Sequence, residues 1–447
     1  MQDVERRGWR NFLLIWLGQM VSLAGSGLTT FGLGVWVYQR TGSAAAFSFI
    51  YVCATAPALF VAPLAGALVD RWDRRRMLIV SNLGAAVGPA VFVLLLALGR
   101  LEIWHVYVIV AFATLFTSCQ FPAFGAAITM LVPKAQLGRA SGMMQMGYSV
   151  SRIVAPLLAG ILMPLIRLQG IILIDVFTFL FGLVTLLFAT IPRPERTAVG
   201  EAAGGSLLRQ VAFGWSYLRQ RPALLSLLGF FAVLNLFFAM SQVLATPLIL
   251  STASERQLGF VLSTGSIGLL AGSLLMSVWG GPARRILGVL GFSPLLGLAL
   301  LVIGIGRSMP AIAAGVFLMY FLVPIINGSD QALWQSKVEP DVQGRVFAMR
   351  QVLSQFTAPL SYFLAGPLAD RVFEPLLRPG GQLAATAGPL LGVGEGRGIG
   401  LQFVVMGVLL ATAALAGLGY APLRKLDDEA TDAVVSEESQ AQAAAGA

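Results

Sequence analysis

Few residues in the chain can do acid–base or metal chemistry, and their placement narrows what that chemistry is. His105 is the sole histidine, and Cys53 and Cys119 are the two cysteines, each inside an apolar run. That set argues against His-based catalysis, multi-His metal sites, a disulfide framework and a CxxC metal site. No Gly-x4-Gly-Lys-Ser/Thr phosphate loop occurs, so ATP-driven work within the chain is not expected. What remains is a handful of charges in apolar surroundings. Arg152 lies near the middle of an apolar stretch, where a charge costs ~2.5–3.5 kcal/mol on insertion scales. Such a residue should face a partner or a wet cavity, unless backbone carbonyls alone satisfy it. Asp175, in the following stretch, is the nearest carboxylate in sequence. Their depths differ by roughly 12 Å at ~1.5 Å per residue, so direct pairing needs a kink or a water bridge. Asp175 could equally be a structural residue close to the membrane interface. Asp330 is a third candidate charge for proton exchange; with Asn327, one helical turn away, it is expected at the cytoplasmic gate.

The elements that must position these groups follow from composition. Of 447 residues, 57% are hydrophobic and 11% charged, with a mean hydropathy of +0.80. A soluble chain carries about 25% charged residues, so water is not the solvent for most of this surface. A helix needs about 20 apolar residues to cross a bilayer core. That window gives spans 1–6 near 11–38, 47–69, 77–98, 103–131, 140–164 and 170–191. Spans 7–12 follow near 223–250, 257–279, 286–306, 309–335, 344–371 and 399–421. Arg6, Arg7 and Arg10 precede span 1, which is too long for a signal h-region, so no cleavable signal peptide is expected. With the N-terminus inside, cytoplasmic segments hold 21 Lys and Arg and outer loops 8, which predicts that both termini are cytoplasmic. Trp9, Trp36, Trp104, Trp279 and Trp334 fall near span ends, where interfacial anchors belong. The net charge of +9 is spread as punctuation between apolar runs, which argues against a nucleic-acid partner.

The spans divide into two halves. Residues 1–191 form an N-terminal six-helix bundle, 192–222 a cytoplasmic linker with an amphipathic helix, 223–426 a C-terminal bundle, and 427–447 a disordered acidic tail. Sliding the chain along itself overlays Gly138-Arg139 on Gly344-Arg345, Met143 on Met349, Gln145 on Gln351 and Ala159-Gly160 on Ala365-Gly366, all at one offset. Polar matches at a single offset point to an internal repeat. The pairs Gly84/Gly88 and Gly268/Gly272 read as small-xxx-small packing devices.

After span 2 the chain reads Gly66-Ala-Leu-Val-Asp70-Arg71-Trp-Asp73-Arg74-Arg75-Arg76. This resembles the loop motif between helices 2 and 3 of the major facilitator superfamily, with Asp73 at the second glycine position. Asp70 is expected to sit against the positive end of a helix that begins near Arg345, and so to hold the cytoplasmic side shut. Span 5 carries Ala155-Pro156-Leu-Leu-Ala159-Gly160, similar to a Gly-Pro-x-x-Gly-Gly motif of antiporters in that superfamily. The stretches Ile326-Asn-Gly-Ser-Asp330-Gln-Ala-Leu-Trp-Gln335 and Ala365-Gly-Pro-Leu-Ala-Asp-Arg371 are similar to its macrolide-efflux and siderophore-exporter branch. The resemblance implies an all-α membrane fold of twelve helices in two pseudo-symmetric six-helix halves. It also implies a central cavity lined by spans 1, 4, 7 and 10, which makes Gln19, Ser22, Ser26, Asn235, Gln242 and Asn327 candidate lining residues. Ser26 follows Ser22-Leu-Ala-Gly25 where many relatives carry a coupling carboxylate, and span 4 lacks an embedded Arg. Arg152 and Asp175 are then the replacement candidates for coupling.

The expected function is secondary active export of an amphipathic organic compound, driven by proton entry, by rocking of the two halves. Uptake of a small nutrient is the reverse reading, and a non-transporting receptor or scaffold is a further one. An enzyme is not expected, because clustered His, Asp or Glu at a bilayer face is lacking. The expected partners are a small-molecule substrate, protons and the lipid of a bacterial inner membrane, with no cofactor, no metal and a monomeric state.

Overall fold

The structure is a computed structural model that describes residues 2–61, 74–132, 136–189, 215–338, 342–424 and 426–429. Every regular element among them is helical. Sequence punctuation sets where helices begin. Ser43 accepts the Ala46 backbone N–H at 3.0 Å and caps the helix from Ala44, satisfying a donor that a helix start leaves unpaired. Proline stands in the first two positions of the helices Pro222–Leu250, Ser293–Ile305 and Met309–Lys337, where its missing N–H costs nothing.

Ten described helices are long and apolar enough to cross a bilayer. They correspond to expected spans 1–4, 6–10 and 12. Span 11 is the helix Gln343–Leu368, which carries Arg345 and Arg350 and falls outside those ten. Span 5 is merged with span 6 in one run, Leu137–Phe188, broken at Arg167, whose φ is 57° and ψ −177°. Drawn out straight, that run would measure roughly 78 Å at ~1.5 Å per residue. Ala140 and Met144 near its start nevertheless share a packed cluster with Leu186 near its end and with Ala189. The chain therefore doubles back at Arg167.

The chain divides into two compact units. Unit 1 comprises residues 1–203 with 253–259, and unit 2 comprises 204–252 with 260–447. In unit 1, span 1 packs on span 6 through small residues. A Cβ on Gly18 would meet Thr185, one on Gly25 would meet Thr178 and Asp175, and one on Gly32 would meet Leu168 and Ile171. The heptad spacing keeps the three glycines on one face of the helix. In unit 2, Gly268 and Gly272 of span 8 lie against the carbonyl oxygens of Phe317 and Phe321 of span 10. Spans 9 and 12 approach as closely, with Gly297 facing Gly407 and Gly304 facing Gly400. Association in lipid depends on such packing, since lipid tails are as apolar as Leu.

The repeat is visible in helix boundaries. Ile103–Leu131 and Met309–Lys337 are equal in length, and the offset read from the sequence lays the one upon the other end to end. The helices that follow, beginning at Leu137 and Gln343, start at positions related by the same offset. Beyond span 11 the chain forms a π-helical turn Ala369–Phe373 and short helices Glu374–Leu377 and Gly388–Leu391 before span 12, Arg397–Gly419. The Glu374 carboxylate accepts the Gly396 and Gly398 N–H groups at 2.7 and 3.0 Å, supplying acceptors to the open start of span 12. One expectation is corrected here. Trp104 and Trp279 are about half exposed, as interfacial anchors are, but Trp334 is completely buried.

Candidate functional site

Trp334 is buried because it serves a carboxylate. Its Nε1 donates to Asp330 Oδ1 at 3.0 Å, one turn back on span 10. Asp330 is itself 0% exposed. Its other oxygen, Oδ2, receives Arg350 Nη2 of span 11 in an ion pair. Arg350 also donates through Nη1 to Gln331 Oε1 at 3.0 Å. The guanidinium lies 5.4 Å from the Trp334 ring centroid and 6.0 Å from that of Phe231 on span 7, within reach of cation–π attraction. Burying two charges is expensive unless hydrogen bonds complete the pairing. Here the carboxylate gains the indole N–H, and the guanidinium gains an amide and two rings. The Arg350 side chain keeps 20% exposure while Asp330 keeps none, so the cation is the wetter end of the pair.

The N-terminal carboxylate sits in a different kind of place. Asp175 is 2% exposed and is wedged into the seam between spans 1 and 6. Ser26 Oγ lies 3.4 Å from Asp175 Oδ1 and 3.1 Å from the Ser22 carbonyl, so one hydroxyl proton is shared between two acceptors. Thr178, one turn on, donates to the Asp175 carbonyl at 2.8 Å. A Cβ on Gly25 would stand 3.0 Å from Asp175 Oδ1 and 2.0 Å from Thr178 Oγ1, so glycine makes the room that the carboxylate occupies. Thr29 is buried on the same face of span 1, about one turn beyond Ser26. Gln19, further back on that helix, is buried with no hydrogen-bond partner for its Nε2 among the described residues. The side chain of Arg152 lies outside the described residues, and its pairing with Asp175 with it.

Of the loop motif, Gly66, Asp70 and Arg71 fall outside the described residues, as do the side chains of Arg74 and Arg345. Arg75 donates to the Leu187 carbonyl at 2.7 Å, which satisfies an orphan acceptor in the last turn of span 6. One arginine of the motif therefore closes a helix end. Within the span-5 motif, the side chain of Pro156 is not described. Gly160 is buried, and a Cβ there would come within 2.9 Å of the Gly259 Cα in the same unit. Among the expected lining residues, Gln19 and Ser22 are buried, Ser26 and Asn235 half-buried, and Gln242 and Asn327 exposed.

Arg350 and Trp334 are the members of the Asp330 site that sequence reasoning did not assign to it. Arg350 falls among the basic residues counted as cytoplasmic, and Trp334 among the anchors. A signal was available in the repeat. At the offset that aligns the halves, Asp330 overlays Phe124, Trp334 overlays Ile128 and Arg350 overlays Met144. Charges that replace apolar residues between otherwise matching halves mark a place where one half does something extra.

Solved structures that this chain resembles are transporters. A bacterial homolog to the human lysosomal transporter Spinster aligns with a TM-score of 0.68 at 14% identity, covering 95% of this chain and 99% of that one. A D-xylose–proton symporter aligns at 0.65 and 12%, covering 94% and 98%. These likenesses show the fold. Among curated proteins, macrolide efflux protein A of Streptococcus pyogenes is 28% identical over 373 residues, covering 81% of this chain and 91% of that protein. The multidrug efflux pump Tap of Mycolicibacterium fortuitum is 26% identical over 368 residues, covering 80% and 89%. The sequence profile of one family matches residues 15–362, most of both helical halves, and by that match the chain belongs to the Major Facilitator Superfamily.

Proposed function

We propose that this transporter exports an amphipathic organic compound from a bacterial cell across the inner membrane, driven by proton entry, through alternating access of its two halves. The observation that carries the reading is Asp330, a fully buried carboxylate in a spanning helix held by an arginine on the next span. An ionisable group in that position is costly and is usually functional. The names of the relatives, a macrolide efflux protein and a multidrug efflux pump, support the direction and the substrate class. Arg152, Asp175 and Asp330 are the intramembrane charges from which coupling is drawn, and Asp70 of the loop motif is the residue that holds the cytoplasmic side shut. The cytoplasmic placement of both termini is supported by the excess of Lys and Arg in the segments assigned inside.

The test uses purified protein in liposomes with an imposed pH gradient. Erythromycin and ethidium are offered as two amphipathic probes of different shape. Accumulation of either one that collapses when a protonophore is added supports the reading. Accumulation that survives the protonophore refutes proton coupling, and movement of neither probe refutes the substrate class.

A further inference from the structure

Hydroxyl oxygens from spans 1 and 6 gather around the Asp175 carboxylate, and the backbone takes most of their protons. Ser26 Oγ donates to the Ser22 carbonyl at 3.1 Å and stands 3.4 Å from Asp175 Oδ1. Ordinary O–H···O bonds run ~2.5–3.0 Å, so the backbone carbonyl is the better claimant to that proton. Thr178 Oγ1 gives its proton to the Asp175 backbone carbonyl at 2.8 Å. Thr29 is the odd member. Its side chain is 5% exposed and its hydroxyl faces the Asp175 carboxylate, yet Oγ1 has no hydrogen bond of normal geometry among the described residues. The adjacent Thr30, by contrast, donates to the Ser26 carbonyl one turn back at 2.9 Å.

Oxygen lone pairs turned toward an anion repel it unless something positive stands between them. Among the described residues no lysine or arginine pairs with Asp175, although a buried charge in a span is costly without a partner. Gly25 supplies the space. The point where its Cβ would stand is 2.0 Å from Thr178 Oγ1 and 3.0 Å from Asp175 Oδ1, so both oxygens border one small opening in the seam.

We propose that Asp175 and the hydroxyls of Ser26, Thr29 and Thr178 bind a sodium ion between spans 1 and 6. Every donor is an oxygen, the set that a hard cation takes. One carboxylate balances one positive charge, which favours a monovalent ion over calcium or magnesium. Oxygens at ~2.3–2.6 Å from an ion of calcium's size, which sodium shares, place adjacent ligands roughly 3.3–3.7 Å apart. Ser26 Oγ and Asp175 Oδ1 stand within that range, at 3.4 Å. Ser26 is half-buried, so the ion reaches the seam from the side of span 1. The bound ion pins span 1 to span 6 within the N-terminal half. The inference goes beyond the export reading and does not depend on it, because the ion is held whichever gradient drives transport.

The experiment needs neither substrate nor gradient, so it can fail while proton-driven export stands, and the reverse. Purified full-length protein is melted in sodium, potassium and choline chloride at equal ionic strength. Sodium should raise the melting temperature in a saturable way. Choline should not, and potassium, a larger ion, should behave as choline. Equal melting in all three salts overturns the proposal, and an equal rise with potassium overturns the choice of ion. Thr29→Val is the deciding variant. Its hydroxyl makes no hydrogen bond in the fold, so a purely structural role predicts unchanged melting in every salt. As a lost ligand, Thr29→Val should melt as the wild type does in choline but need at least about tenfold more sodium for the same rise, the loss expected for one contact to a charged group. A wild-type sodium response in Thr29→Val removes it from the site and overturns the proposal. Asp175→Asn should lose the response altogether; should that variant fail to fold, radioactive sodium retained by wild type and by Ser26→Ala replaces it. About one ion per wild-type chain, with weaker retention by Ser26→Ala, supports the site, and equal retention by the two overturns it.

Discussion

Adding a single methyl group to Gly268 or Gly272 should weaken the C-terminal half, although alanine is the better helix former. Built on the existing backbone, the new Cβ atoms would stand 2.4 Å from the Phe317 oxygen and 2.1 Å from the Phe321 oxygen. Close carbon–oxygen contacts across helix interfaces lie at ~3.3–3.6 Å, so spans 8 and 10 must part by about 1 Å. Both obstacles are backbone atoms, which no rotamer change can move aside. A gap of that size forfeits roughly a quarter to a half of each neighbouring dispersion contact. Overpacking of this kind costs ~1–3 kcal/mol, against a helix-propensity gain of at most ~1 kcal/mol. With ~1 kcal/mol regained as propensity, the net loss is up to ~2 kcal/mol per site, or up to roughly 8 °C in Tm at ~2–4 °C per kcal/mol for a unit of this size. The double variant should lose less than the sum, because the first methyl already forces part of the separation. Gly229 on span 7 is the control. A Cβ there would meet no atom within 4 Å, so Gly229→Ala should melt no lower than wild type. The assay is the fraction of detergent-purified protein that stays monodisperse after heating. Gly268→Ala and Gly272→Ala variants melting at or above the wild type would refute the backbone contact between spans 8 and 10.

Arg167 is held at φ 57°, ψ −177°, a region that costs non-glycine residues ~1–3 kcal/mol; Arg167→Gly should therefore raise the melting temperature, and a lower one would contradict the strain. Burial pushes the Glu374 carboxyl above its ordinary value of 4.5, against the pull of the Gly396 and Gly398 N–H groups. The folded chain thus holds that proton more tightly than the unfolded chain, so this group's contribution is complete below 4.5 and falls as pH rises above it. The melting difference between Glu374→Gln and wild type should shift toward the variant as pH rises from 4.5, and a flat difference would contradict the burial effect. For topology, in a background lacking Cys53 and Cys119, a cysteine at exposed Gln382 should react with an impermeant label in intact cells and one at exposed Ala283 should not. The opposite pattern would reverse the orientation.

Much of the fold was legible because apolar runs and proline starts are local signals. The expected spans 103–131 and 223–250 agree with Ile103–Leu131 and Pro222–Leu250 to within a residue. Span 11 was legible as a helix but not as one that carries an ion pair, because Arg350 sits where basic residues also serve as cytoplasmic anchors. Trp334 shows the limit most clearly. A tryptophan near a span end reads the same whether its indole meets lipid headgroups or a buried carboxylate, and the choice is made by Asp330 one turn away and Arg350 on another helix. Asp175 could be placed in span 6 from hydropathy alone, but Gly25, the residue that admits it, lies five helices earlier in the chain, on span 1.

The reversal at Arg167 has a consequence for how the chain enters the bilayer during synthesis. The segment Leu158–Phe188 is strongly apolar and carries two charged residues, Arg167 at the reversal and Asp175 in span 6, whereas the stretch before it carries Arg152, Gln145 and several serines. The earlier helix carries Arg152 within its apolar run, and that charge opposes its entry into lipid. A turn this tight allows no independent loop, so the apolar span 6 and span 5, with Arg152 in it, cross as one helical hairpin. Lengthening the turn with a flexible insert would release span 5 to partition on its own merits, and the hairpin's order of insertion would then be decided by Arg152.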